Sequence, residues 1–258
     1  MSGDIVDVFA IGDGGNQALQ FASTTGVTPT PTMATVTVSH FAPFADSVDG
    51  TSVTVKIDGN VVLNNFKFGD TVEDLPLAAG DYLIEILPSG TDTVAISGNV
   101  NVEAGMDYTL AAIGNGGLQP LELLALVDDN MGVSDKAKVR IGHLAPFSSD
   151  LESTKVDICT EANAVVVAGV PYKVVTEPYL ELEPGDYDLK IALAGTDCAQ
   201  TAIDLPAMTL AAGQIASIYA IGDIENLDLG TVMGSSVPRG MIEGAALDIA
   251  IYLPTLFN

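Results

Sequence analysis

Short runs in which hydrophobic and polar residues alternate recur along this chain. Val53, Val55 and Ile57 alternate with Thr54 and Lys56, the period-two signature of a strand with one buried face. Leu83 to Leu87 and Asp188 to Leu193 carry the same alternation. Turn signals punctuate the runs: Asp58-Gly59, then Gly90-Thr91-Asp92 and Gly195-Thr196-Asp197 as hairpin tips. No stretch holds a convincing helical period. The pattern predicts an all-β chain of many short strands.

The pattern also occurs twice. Residues 36–44 read Val-Thr-Val-Ser-His-Phe-Ala-Pro-Phe and residues 139–147 read Val-Arg-Ile-Gly-His-Leu-Ala-Pro-Phe, so His40 and Pro43 correspond to His143 and Pro146. Thirteen residues beyond each His a strand begins, at Val53 and at Val156. A corner follows in each copy, Leu77 to Tyr82 and Leu182 to Tyr187, both ending Gly-Asp-Tyr. A second corner precedes Tyr108 in one copy and Tyr219 in the other. A turn glycine with a strand-entry tyrosine predicts a phenol bonded to local backbone with its ring on the core, the role expected of Tyr82 and Tyr187. About seven strands per copy predict two tandem antiparallel Ig-like or transthyretin-like β-sandwich domains with extra terminal strands. The expected division is 1–33 for an orphan strand or hairpin with linker, 34–130 and 137–234 for the sandwiches, and 235–258 for a C-terminal strand extension. Asp129–Lys138 is the expected connection.

Charge narrows the partners. With 34 acidic and 9 basic residues the net charge is −25, which repels nucleic acid and anionic lipid. No run approaches the ~20 apolar residues of a membrane helix. The opening Met1-Ser2-Gly3-Asp4 has neither a basic start nor an apolar stretch, and reads as a mature or trimmed form. The densest acidic loop spans 128–135, making Asp128, Asn130 and Asp135 calcium candidates, without the ordered alternation and closing Glu of an EF-hand.

Enzymatic constellations are lacking in the sequence. The two His residues fall in separate copies with no second ligand at metal spacing, so each reads as a strand-end ring bonded to a local carbonyl or carboxylate. There is no Gly-x-Ser-x-Gly elbow, and Gly12-Asp13-Gly14-Gly15 lacks the helix and Lys that would hold phosphate. With no Trp and 6% aromatics, stacking platforms for glycans are scarce. No catalytic residues and no cofactor are expected.

Taken in order, the His-x-Ala-Pro strand end, the Val-Asp-Ile strand, the Gly-x-Tyr corner and the Gly-Thr-Asp tip resemble the bacterial extracellular family called domain of unknown function 4397. The resemblance covers about residues 34–128 and 137–233. It implies a secreted or surface-attached β-sandwich module, commonly in tandem, and brings no catalytic residues with it. Ala42 and Ala145 stand where the family more often has Ser, and the second copy has Glu161-Ala162 in place of the Asp-Gly turn. In a chain of extracellular type, Cys159 and Cys198, both in the second copy, read as an intradomain disulfide; a redox or metal pair is the alternative, without Cys-x-x-Cys spacing.

The two ends echo the interior. Residues 8–19, containing Val8, Ala10 and Ile11, closely match residues 110–121, and Tyr219 to Asp223 is a looser third version. Near the C-terminus Leu247, Ile249 and Ile251 form one apolar face of an alternating run. Such strands invite edge pairing. The chain is either an excerpt of a longer array, or folds its ends onto its own sandwiches, or passes a strand to the next copy in a head-to-tail homo-oligomer or filament. The expected function is that of a non-enzymatic extracellular structural or adhesive surface protein. The alternative is a module that binds a small ligand, glycan or Ca²⁺ through loops at the sandwich ends.

Overall fold

In the computed structural model the described residues are 4–11, 20–27, 33–133 and 135–236. Leu247, Ile249 and Ile251 lie outside them. The described residues are all-β apart from two short 3-10 turns. Strands β1 (Asp4–Ile11) and β2 (Gln20–Val27), which contain Val8, Ala10 and Ile11, pair as an antiparallel hairpin that forms a two-stranded sheet.

The first sandwich follows: β3 (Met33–His40), β4 (Val53–Ile57), β5 (Asn60–Phe66), β6 (Thr71–Ala78), β7 (Gly80–Pro88), β8 (Ile96–Val102), β9 (Asp107–Ile113) and β10 (Glu122–Asp128). One sheet has the order β10-β9-β3-β6 and the other β5-β4-β7-β8. Val36, Val38 and Leu110 of the first meet Val53, Val55, Ile84 and Ile86 of the second, all buried in one core. Asp58 and Gly59, both with positive φ (49° and 77°), make the tight turn between β4 and β5 that the Asp-Gly pair predicts.

The second sandwich comprises β11 (Ala137–His143), β12 (Val156–Thr160), β13 (Val165–Val170), β14 (Val174–Val175), β15 (Leu180–Leu182), β16 (Gly185–Tyr187), β17 (Leu189–Leu193), β18 (Thr201–Asp204), β19 (Met208–Leu210), β20 (Ile215–Ile221) and β21 (Gly230–Ser236). Its sheets run β14-β11-β20-β21, with β15 also on β11, and β13-β12-β17-β18, with β16-β19 as a separate pair. Where the first sandwich has one continuous β6, the second has the two short strands β14 and β15. At the β12–β13 turn, where Glu161-Ala162 replaces Asp-Gly, Asn163 takes the positive φ (62°) and its amide donates to the Thr160 carbonyl.

Each sandwich holds one parallel pair among its antiparallel ones. β3 runs parallel to β9, and β11 parallel to β20. These four strands carry the histidines and the Ile-Gly turns, and they lie back to back between the two cores. β9 and β11 are buried at every position. Strands buried on both faces read as continuous apolar runs rather than alternating ones, as Leu110-Ala111-Ala112-Ile113 does.

Candidate functional site

The repeated phrase builds the same knot twice. His40 and His143 are 1% and 3% exposed. Nε2 of each lies 2.8 Å from a threonine carbonyl, that of Thr51 or Thr154, eleven residues downstream. Nδ1 of each accepts from the amide two residues on, Ala42 at 3.3 Å and Ala145 at 3.5 Å. A carbonyl only accepts and an amide N–H only donates, so both rings are fixed as the neutral Nε2–H tautomer. Burial depresses both imidazoles to a pKa of about 4, against the opposing Thr51 and Thr154 hydrogen bonds. Each ring stacks on the phenylalanine four residues later, Phe44 at 5.8 Å and Phe147 at 5.5 Å between centroids. The threonine hydroxyls complete the knot: Thr51 Oγ1 donates to Val48 O and accepts from Phe68 N, while Thr154 Oγ1 donates to Leu151 O and accepts from Tyr172 N. Both nitrogens of each histidine are occupied by backbone, which leaves neither ring a free position to bind or transfer a proton.

The outer faces of the two central sheets meet in a third core. Phe41, Ala111, Ile113 and Leu126 of the first sandwich pack with Leu144, Tyr172, Tyr219 and Ile221 of the second, all buried. Tyr219 is therefore not a corner tyrosine. It lies three positions beyond the residue equivalent to Tyr108, and an odd shift along a strand sends the side chain to the opposite face. The corner geometry occurs at Tyr82 and Tyr187, which donate to the carbonyls of Ala78 (2.9 Å) and Glu183 (2.7 Å), and the Tyr108 oxygen accepts from the Glu103 amide.

Polar groups close both ends of this seam. At one end Asn115 Nδ2 donates to Asp223 Oδ2 (2.9 Å) and to the carbonyl of Pro146 (3.4 Å). Asn226 Nδ2 donates to Asp223 Oδ2 (2.7 Å) and to the carbonyl of Pro43 (3.0 Å), and Gln119 Nε2 to Ser148 O (2.8 Å). Each sandwich thus sends its Ile-Gly loop to the Ala-Pro-Phe loop of the other, a pseudo-twofold exchange. The loops need glycine: a Cβ on Gly114 (φ +87°) would sit 1.9 Å from the Pro120 carbonyl oxygen, and one on Gly222 (φ +94°) 2.2 Å from that of Asp228.

At the other end Arg140, 1% exposed, donates to Asp128 Oδ1 (2.5 Å) and to the Val127 carbonyl, with its guanidinium carbon 4.5 Å from the Tyr179 ring centroid. Burial works against its charge, but Tyr219, Asp128 and Tyr179 hold the guanidinium pKa above its ordinary value. Burial also pushes the Tyr179 phenol up to about 12, so it stays neutral. Thr37 occupies the equivalent of Arg140 in the first copy, so this end breaks the pseudosymmetry.

Two of the three calcium candidates are drawn into the same structure. Asp128 receives Arg140 and Thr109, Asp129 receives Lys138, and Asn130 donates to Asp107 Oδ2, while Asp135 is exposed. Protein cations answer the first two carboxylates, and Lys138, expected in the connection, is buried in β11. Among the described residues the acidic oxygens that come together are instead those of Glu161, Asp188 and Asp204, all exposed and within 4.8 Å of one another. They are scattered in sequence, so no motif announces them. Cys159 and Cys198 form a disulfide with S–S 2.00 Å, both sulfurs buried against Ala192. Cys159 sits on the face opposite its core, at the position of Lys56 in the first copy, and the loop carrying Cys198 covers it.

With this geometry in view, sequence comparison adds one family. Residues 47–154 match the family described as Domain of unknown function (DUF4397). The DUF4397 match begins just after the first Ala-Pro-Phe loop and ends at Thr154, the residue that receives His143, so it spans one period of the repeat out of phase with the sandwiches. No curated protein matches the chain. Among solved structures, the Bacillus anthracis TIE protein is 14% identical over 85% of this chain and 41% of its own, with a TM-score of 0.20. This chain therefore spans less than half the length of that one. A protein from Bacteroides ovatus described as a putative adhesin is 10% identical over 81% of this chain and 96% of its own, with a TM-score of 0.19. At these scores neither likeness carries an argument.

Proposed function

We propose that this chain is a non-enzymatic extracellular structural or adhesive module, a stiff tandem of two sandwiches that joins further copies through its hairpin β1–β2. The seam is the observation that supports it. The repeated Ala-Pro-Phe and Ile-Gly loops are spent in joining the two sandwiches, and each repeated histidine is spent on backbone within its own copy. The disulfide fits an oxidising compartment. No helix among the described residues is long and apolar enough to cross a membrane.

The hairpin supplies the means of assembly. Ile11 pairs with Gln20, Ile113 with Glu122 and Ile221 with Gly230, each closing a hairpin over the same nine-residue step. β1–β2 thus reproduces, in register and in sequence, the hairpin that in each sandwich lies beside the His strand. Among the described residues there are three such hairpins and two His strands. In this reading the third hairpin adds to an open sheet edge of another copy by β-strand pairing, giving head-to-tail growth, while the net charge of −25 limits lateral association. Sizing of the intact chain against a form lacking residues 1–28 tests this: the intact chain is expected to run as concentration-dependent oligomers and the shortened one as a monomer. Monomeric behaviour of both over the same range rejects assembly.

A further inference from the structure

We infer that the first sandwich holds a binding site for a small uncharged apolar molecule, about the size of a single aromatic ring or a short hydrocarbon chain. Between its sheets lies a cavity of about 170 Å³, reached by Val36, Val38, Val53, Val55, Ile84 and Leu110 from the two central layers. Its one polar lining residue is Ser39, whose hydroxyl is already engaged with Thr71 Oγ1 at 3.1 Å. An apolar cavity of roughly 150 Å³ stays dry and takes up benzene or xenon. Water gains no partners in such a space, whereas an apolar guest recovers the dispersion contacts its walls lack.

The cavity has a way in. Val62 and Leu63 of β5 and Leu75, Pro76 and Leu77 of β6 line it, and these two strands end their respective sheets on the same side of the sandwich. Among the described residues no strand bridges them. Val62 is 44% exposed, and Leu63, Leu75 and Leu77 are half-buried, as befits a mouth. Both strands are irregular at this level: β5 slips register between Val53 and Val55 with Asn65 at φ 54°, and β6 between Val36 and Val38 with Asp74 at φ 56°. Bulges of this kind end regular pairing and re-aim side chains beside sites. Glu73 and Asp74 stand on β6 next to the mouth, and the net charge of −25 adds to their repulsion of an anionic head group. The guest is therefore neutral.

The second copy supplies the variant that closes the site. At the positions of Val38 and Val55 it carries Ile141 and Ile158, both buried in its own core, so isoleucine fits this fold at both places. The test uses the full chain with benzene and xenon as probes. Saturating benzene is expected to raise the wild-type melting temperature by several degrees, roughly what binding well above Kd yields. Methyl NMR shifts should be confined to Val38, Val55, Leu63 and Leu75, and xenon-pressurised crystals should show density between the sheets. In V38I/V55I the melting response is expected to fall at least fivefold. Should the double variant fail to fold, V55I alone and the wild-type methyl shifts decide the matter. Absence of any benzene or xenon response in the wild type, or an equal response in a folded V38I/V55I, overturns the inference.

Discussion

Acidification should weaken the two histidine knots as the pH falls from about 6.5 towards 4. In the folded chain each imidazole is held at a pKa of about 4, chiefly by burial, whereas an unfolded histidine titrates near 6.5. The folded value is the lower one, so the unfolded state binds more protons throughout the window between them. Stability is therefore full above about pH 6.5 and falls as the pH drops towards 4, the reverse of the usual histidine that gains a charged partner. A shift of this size corresponds to about 3 kcal/mol per histidine once the pH is below both values. By pH 5 the unfolded imidazole is mostly protonated and the folded one mostly neutral, so each contributes a loss of about 2 kcal/mol relative to pH 7. The pair should cost about 4 kcal/mol over that interval. A protonated Nδ1 would also face the Ala42 or Ala145 amide as a second donor, which is why the ring resists the proton.

Relief of repulsion among 34 acidic residues works in the other direction as the pH falls, so the measurement must be a difference. Urea denaturation of the native chain and of His143→Gln at pH 7, 6 and 5 isolates one ring. The variant should be less stable at pH 7 but lose about 2 kcal/mol less than the native chain between pH 7 and 5. Imidazole NMR titration supplies the direct value. A ring that titrates near 6.5 in the folded protein, or a variant with the native pH slope, refutes the burial argument.

Reduction of Cys159–Cys198, or Cys198→Ser, opens a loop closed over 39 residues and should lower the stability of the second sandwich by up to about 4 kcal/mol, read by urea melts with and without reductant. A loss below about 1 kcal/mol would mean that the unfolded chain gains little freedom. Asp128→Ala strands the buried Arg140 and should cost about 3–5 kcal/mol, while Asp128→Leu with Arg140→Met should regain most of it. Equal losses in the single and double variants would contradict a desolvation origin.

Alternation along the chain made the strands, the hairpin tips and the doubling of the fold legible, because each reflects one residue and its near neighbours. Direction was not legible: a period of two is the same for parallel and antiparallel strands, so the β3–β9 and β11–β20 pairs leave no mark on it. The histidine partners were within reach, since a threonine follows each His at the same eleven-residue spacing. What hid them is that a backbone carbonyl accepts, and its identity leaves no side-chain signature. The seam had a signal in the continuous apolar runs Leu110–Ile113 and Ile218–Ile221, which mark strands buried on both faces. Reading Tyr219 by its distance from a glycine, rather than by strand parity, turned that signal towards the wrong core.

The seam also accounts for the same residues recurring in both copies. In a pseudo-twofold contact one surface must serve as both donor and receiver, so any residue useful on one side is useful on the other. Asn115 reaching Pro146 and Asn226 reaching Pro43 are the two halves of that exchange. The joint therefore calls for the Ile-Gly turn and the Ala-Pro-Phe loop together in both copies. The places where the copies differ are where function can be individual: Arg140 against Thr37 at the far end of the seam, the disulfide confined to the second sandwich, and Val38 and Val55 against Ile141 and Ile158 in the two cores. A search for activity in this chain therefore belongs at the differences, not at the doubled motif that first draws the eye.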